Sequence, residues 1–244
     1  MSAPSKATQA KLNKLHYRIA QGTKKEKKKA LAKAEKIGYT VESSRRGVAH
    51  FKSKGEDGHS VVTIKGTDPS NKKDLLSDLK LAFGLSKTDK QFKHRTKEIK
   101  KVYSGIDADK DKYLTGHSLG GSIVTHAMTK SKSIRDNTKQ ATTFNAGYTP
   151  AFHAELSKDL KKEDKKELKK KLVHQHNKGD PISAALTMAS VGKTKTTKGK
   201  AASPHSLDNF HADKSLKDKP GEDPHEMSKE VGEGIGAAMM EDGE

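Results

Sequence analysis

The sequence predicts an α/β fold with a mostly parallel central sheet and helices on both faces. Three observations predict it. First, β-branched strand candidates alternate with helical stretches along the middle of the chain, the order that builds a parallel sheet. Second, Tyr113-Leu114-Thr115-Gly116-His117-Ser118-Leu119-Gly120-Gly121-Ser122 reads as a strand, a sharp turn and a helix start. This is the G-x-S-x-G arrangement that exposes a serine above a sheet edge. Third, the loops at Thr67, Ser118 and Asp180 each follow a predicted strand. All three would meet at the carboxyl edge, where open α/β sheets bind their ligands.

The elements follow in order. Residues 1–9 are small and polar and are expected to be unstructured. Two helices follow between Lys11 and Ile37, with Leu12, Leu15 and Ile19 on the first and Ala30, Leu31 and Ala34 on the second. Gly22 divides them and Gly38 stops the second. The Lys24 to Lys29 run reads as a solvated first turn. Gly47 to Lys52 is a weaker strand and His59 to Gly66 a stronger, central one. A helix from Asn71 to Phe83 carries Leu75, Leu76, Leu79 and Phe83 on one face. A longer charged helix then spans Lys87 to Tyr103.

In the G-x-S-x-G stretch, Gly116 and Gly120 crowd each other across the turn, so neither position tolerates a Cβ. Beyond it come a strand at residues 141–146, a helix from Pro150 to Leu156 and a charged helix over 158–171. The last predicted strand, Leu172 to Asn177, leads into Lys178-Gly179-Asp180-Pro181-Ile182. Residues 191–202 are rich in Gly, Lys, Thr and Ala and read as a flexible loop. Residues 221–244 hold eight acids against one Lys, an acidic tail on a basic body.

Composition removes several classes of function. There is no Cys, which excludes a disulfide framework or a thiolate metal site. No apolar run approaches the ~20 residues that span a bilayer, and no signal-peptide core follows Met1, so a soluble chain is expected. The net charge of +18 suggests polyanions as partners. Only five of the 49 basic residues are Arg, however, and there is no Trp. Base readout and base stacking are thus poorly supplied, and nucleic acid is disfavoured. A solvated lysine surface, or contact with an anionic membrane, remains.

Four segments, in order, resemble the class 3 lipase family of α/β hydrolases. Val62-Thr63-Ile64-Lys65-Gly66-Thr67 resembles its strand ending in a basic residue, Gly and Ser or Thr. Leu114 to Gly121 matches its G-H-S-L-G-G turn. Thr143-Phe144-Asn145-Ala146-Gly147 resembles its next strand, with Asn-Ala-Gly where the family more often has Gly-Ser-Pro. His176 to Ile182 resembles its acid-bearing loop. Compact, Lys-rich lipase-like proteins of large DNA viruses look similar, including a His-Ser-Leu-x-Asn stretch like residues 205–209. A cytoplasmic or virus-associated location is compatible with that likeness. The resemblance implies an α/β-hydrolase domain over residues 38–212 and leaves both ends unexplained, while composition reads 1–37 as a basic helical extension and 213–244 as an acidic, flexible tail.

Chemistry and resemblance together assign the residues. Ser118 is the expected nucleophile, and a serine hydroxyl needs a base to take its proton. That base should be a His held by a carboxylate, in the chain order Ser, Asp, His. Asp180 fits the acid. Of the His residues after it, His205 on its Pro-anchored loop is favoured over His211, and His225 in the tail is least suited. His174 and His176 precede Asp180 and read as structural or rim residues rather than a metal pair. The oxyanion donors are the backbone N–H of Leu119 and, by resemblance, Thr67. Lys65 stands where the family usually has Arg. The apolar helix at 71–84 reads either as a lid, by resemblance, or as core.

The expected activity is hydrolysis of acylglycerol or phospholipid carboxylic esters through an acyl-enzyme, without metal or organic cofactor. An acyltransferase or thioesterase using the same residues is an alternative. So is a non-catalytic basic protein binding membranes or polyanions.

Overall fold

A computed structural model describes residues 3–55, 58–66, 87–180, 182–184, 190–199, 201 and 203–210. Thr67, the helix expected at 71–84, Pro181, His211, His225 and the acidic tail lie outside the described residues.

Seven strands form one sheet whose spatial order equals their chain order. They are β1 (Tyr39–Arg45), β2 (Val48–Ser53), β3 (Ser60–Ile64), β4 (Lys112–His117), β5 (Gln140–Phe144), β6 (Leu172–Asn177) and β7 (Lys193–Thr197). β1, β2 and β3 pair antiparallel. From β3 to β7 every pairing is parallel, with Val62 beside Leu114 and Leu114 beside Ala141. The β1–β2 turn is Arg46-Gly47, with φ of 48° and 70°. That mirror-image turn suits the twist of a two-residue hairpin.

A strand order that never reverses has a consequence. Right-handed crossovers between successive parallel strands place their helices on one face. Here these are α3 (Lys87–Ser104), α4 (Leu119–Lys130), α5 (Lys132–Asn137), α6 (Pro150–Ser157) and α7 (Lys162–Lys171). Phe92, Ile99, Ile123, Met128, Leu156 and Leu168 pack there on Val62, Ile64, Leu114 and Ala141. The opposite face would be bare. Helices α1 (Lys6–Gln21) and α2 (Lys24–Lys36) cover it, through Leu12, Leu15, Ala30 and Ala34 against Phe51, Val61 and Tyr113. Burying each such Leu stabilises the fold by roughly 1.5–3 kcal/mol. Among the described residues no helix is long and apolar enough to cross a membrane. The sheet with helices on both faces is the α/β-hydrolase architecture the sequence predicts.

Some elements differ from the sequence reading. Helix α1 begins at Lys6, inside the stretch expected to be unstructured, because Ser5 caps it by accepting the N–H of Thr8 at 3.0 Å. Gln9 and Ala10 are already buried there. The division at Gly22 is found as expected, and a capping box between Thr23 and Glu26 starts α2. β1 has no counterpart in the sequence reading. Residues 193–197, expected to be loop, form β7, an edge strand of alternating Lys and Thr. Lys suits such an edge because its charge deters further strand pairing. The helix read over 158–171 starts only at Lys162, separate from α6.

Two buried histidines tie stability to pH. His16 on α1 meets Thr63 Oγ1 at 2.8 Å through Nδ1. Burial, then the charges of Lys65 and Arg95, push its pKa down to about 3. His174 on β6 meets Thr143 Oγ1 and donates Nε2–H to the Val191 carbonyl, both at 2.7 Å. Burial pushes it down to about 4, against the opposing effect of that carbonyl. Both folded values lie below the ordinary 6.5. The unfolded chain therefore binds more protons in between, and stability falls as pH drops below about 6.5. Going from pH 7 to pH 5 is expected to cost about 4 kcal/mol for the pair. Denaturant melts at the two pH values check this, and His174→Gln should remove about half of the slope.

Candidate active site

β4 delivers its last residue, His117, to the carboxyl edge, and α4 starts two residues later. Ser118 between them has φ 56° and ψ −128°. A non-glycine residue seldom holds such angles unless its surroundings enforce them. Here the Ser118 N–H donates to Phe144 O at 3.0 Å. Its carbonyl accepts Ser122 N at 3.2 Å and Gly147 N at 3.4 Å. Gly116 and Gly120 are glycine for a steric reason. A Cβ on Gly116 would overlap the Gly120 carbonyl, and one on Gly120 would overlap the Ile64 carbonyl. The start of α4 thus lies directly on the ends of β3 and β4. The chain therefore makes the strand, sharp turn and helix start that the sequence predicts, with Ser118 at the turn.

Asp180 follows β6 by three residues, and His205 precedes a 3₁₀ turn at Leu207–Phe210. His205 Nδ1 lies 3.1 Å from Asp180 Oδ1. A carboxylate only accepts, so Nδ1 carries the hydrogen and the neutral ring keeps its lone pair on Nε2. That is the tautomer a general base needs. Asp180 Oδ1 also accepts the Ile182 N–H at 3.3 Å, and Oδ2 accepts the Ser183 hydroxyl. Ser183 Oγ in turn lies 2.7 Å from His176 Nδ1, which must donate to it. Burial works to raise the pKa of Asp180, but His205, Ser183 and the Ile182 N–H together hold it below the usual carboxylate value.

The structure brings Asp180 and His205 together, and the His117 and His205 rings lie 4.7 Å apart beside the elbow. Ser118 is 2% exposed. Its Oγ and the Nε2 of His205 are both buried, and neither has a hydrogen-bond partner among the described residues. Buried polar atoms left in this state are unusual and call for a reason. The Leu119 N–H opens α4, where first-turn N–H groups favour negative charge.

Several residues that hold the site were not singled out by the sequence. The Pro204 carbonyl accepts amide hydrogens from Asn145 at 3.1 Å, Asn177 at 2.9 Å and Asn209 at 3.2 Å. These three Asn fix the loop that carries His205. Asn145 has φ 42°, a conformation that Asn tolerates better than most residues. Its Oδ1 accepts Asn177 N at 2.9 Å, linking β5 to β6. The departure noted at Asn145-Ala146-Gly147 therefore has a local physical role. Lys65 Nζ sits 5.9 Å from the centre of the Tyr17 ring. His174 and His176, read as structural or rim residues, are buried and have the partners given above.

A parallel sheet with an antiparallel lead-in and a serine elbow at its carboxyl edge defines an α/β hydrolase. Residues 9–212 match the Tle-like phospholipase domain, described as phospholipase-like, and the chain belongs to that family. The match supports a lipid-ester hydrolase in general, and it names neither the class 3 lipases nor the viral proteins whose motifs the sequence resembles. A solved structure, of a predicted CIB-like hydrolase from Thermoplasma acidophilum, is similar at 14% identity with a TM-score of 0.37. The similarity covers 81% of this chain and 99% of that one. No curated protein matches the chain.

Proposed function

We propose that the chain hydrolyses carboxylic esters of phospholipids through an acyl-enzyme on Ser118. The observation that carries this reading is the pair of unpartnered buried atoms, Ser118 Oγ and His205 Nε2, beside an Asp180 that fixes the His tautomer. Ser118 Oγ attacks the ester carbonyl while His205 Nε2 takes its proton. The Leu119 N–H, with Thr67 as the expected second donor, holds the oxyanion. Collapse breaks the ester C–O bond, and His205 returns the proton to the departing alcohol. Water then repeats the sequence on the acyl-serine, releasing the fatty acid and restoring Ser118.

Family membership favours phospholipid over triacylglycerol. The net charge of +18 suits an anionic membrane surface. Helices α1 and α2 complete the sheet's second face, which supports counting residues 6–36 with the hydrolase unit.

A fluorophosphonate probe with peptide mapping tests the nucleophile. Label on Ser118, together with fatty-acid release from phosphatidylglycerol-containing vesicles, is the expected result. A folded protein left unlabelled in the presence of vesicles would defeat the proposal. Label with release only from triacylglycerol emulsions would overturn its substrate half.

A further inference from the structure

Helix α1 covers the sheet face remote from the crossover helices, yet one of its side chains reaches the site. The Tyr17 hydroxyl is buried 3.0 Å from Gly66 N and 3.3 Å from His117 Nδ1. His117 Nε2 lies 2.9 Å from the carbonyl oxygen of His205. The chemistry of the atoms gives the direction of each bond for a neutral His117 ring. A carbonyl only accepts, so His117 Nε2 is the donor. In the neutral ring Nδ1 then has the lone pair, and the Tyr17 O–H must donate to it. The phenol oxygen in turn accepts the Gly66 N–H. The bonds therefore run from the end of β3, through Tyr17 and His117, to the backbone of the proposed base.

Steric fit along this line is close. A Cβ on Gly66 would lie 2.8 Å from both the Tyr17 hydroxyl and the His117 carbonyl. The Tyr17 and His117 rings meet edge-on with centroids 5.9 Å apart. Lys14, one turn earlier on α1, pairs with Asp208 at 3.0 Å just beyond the base loop. The same helix thus grips the loop at two points. Only the Tyr17 line passes through a neighbour of Ser118.

We propose that Tyr17 and His117 are positioning residues that clamp the His205 backbone against the nucleophile elbow. The proposal rests on Ser118 and His205 being nucleophile and base. His205 Nδ1 is set by Asp180, but that contact alone leaves the ring free to swing about the Asp–His bond. A hold on the carbonyl of the same residue, beside the three Asn on Pro204, fixes the backbone point from which the ring extends. It also explains why a polar tyrosine and a histidine occupy buried positions where apolar residues would pack with no hydrogen bonds to satisfy.

The test compares fluorophosphonate labelling rates at Ser118 in the full chain. Tyr17→Phe keeps the ring and deletes the hydroxyl. It should label about 10- to 100-fold more slowly, the scale of a small misplacement of reacting groups. On vesicle substrate kcat should fall with KM nearly unchanged, and the melting temperature should fall only by the few degrees that unpairing the Gly66 N–H brings. His117→Gln places an amide N–H near the Nε2 position and should retain much more activity than His117→Asn, which reaches only the Nδ1 position. A merely structural role would lower the melting temperature while leaving the labelling rate of the folded protein unchanged, and would not separate Gln from Asn. Labelled wild type with an equally fast Tyr17→Phe, or with Gln and Asn indistinguishable, overturns the clamp alone. Wild type that does not label overturns the nucleophile assignment and the clamp with it.

Discussion

Ser118→Ala is expected to lower phospholipid ester turnover by on the order of 10⁵- to 10⁶-fold, the scale seen when a triad serine is removed. The variant should also be slightly more stable than the wild type. Its hydroxyl is buried and has no hydrogen-bond partner among the described residues. Removing such a group relieves a desolvation cost of about 1 kcal/mol or more. The strain at φ 56° stays, because alanine is no more comfortable there than serine. Turnover by initial rates and stability by thermal melts check the two halves independently. Loss of activity with a higher or unchanged melting temperature supports a nucleophile held at a local stability cost. Activity within tenfold of wild type would remove Ser118 from the chemistry.

The elbow was legible in the sequence because its constraint is local. Gly116 and Gly120 exclude Cβ atoms within a five-residue span, and a sequence records that directly. Asp180 and His205 were singled out from the Ser, Asp, His order of the resembled family, and the structure brings these two side chains together. The supports of the base loop were not legible. Asn145, Asn177 and Asn209 come from three separate segments and converge on one carbonyl. Nothing in their spacing announces that meeting, and an Asn after a strand reads as an ordinary turn residue.

Helix α1 was misread for a related reason. Residues 9–17 are all buried, including Gln9, Lys11, Asn13, Lys14 and His16. An amphipathic reading assigns the polar ones to solvent. Here Asn13 and His16 instead bond to Thr115 and Thr63 on the sheet, and Lys14 pairs with Asp208. Part of their polarity is met by tertiary partners that periodicity does not reveal, while Gln9 Oε1, Asn13 Oδ1 and His16 Nε2 are buried without a hydrogen-bond partner among the described residues. The edge strands β1 and β7 escaped because half-exposed strands carry Lys, Ser and Thr in place of an apolar run.

Asp180→Asn is expected to lower kcat by about 10³- to 10⁴-fold, as in other Ser-His-Asp sites where the carboxylate fixes the tautomer. The carboxylate oxygens accept from His205 Nδ1, Ser183 Oγ and Ile182 N, all three acting as donors in the wild type. If the new amide N–H faces His205, Nδ1 must become the acceptor and the hydrogen moves to Nε2, pointing at the group it should deprotonate. If it faces Ser183, the hydroxyl oxygen accepts it but the hydroxyl hydrogen loses its buried acceptor. Ser183→Ala keeps the carboxylate and so should lose far less. Stability supplies a second readout. The folded pKa of Asp180 lies below the ordinary value, so its contribution is fully present above about pH 4 and is lost as pH falls through the folded value. The stability gap between wild type and Asp180→Asn should therefore be constant at neutral pH and close only in strong acid. An Asn variant with near wild-type kcat would place the orienting carboxylate elsewhere. Equal losses for Asp180→Asn and Ser183→Ala would shift the role from the charge to the hydrogen-bonded loop.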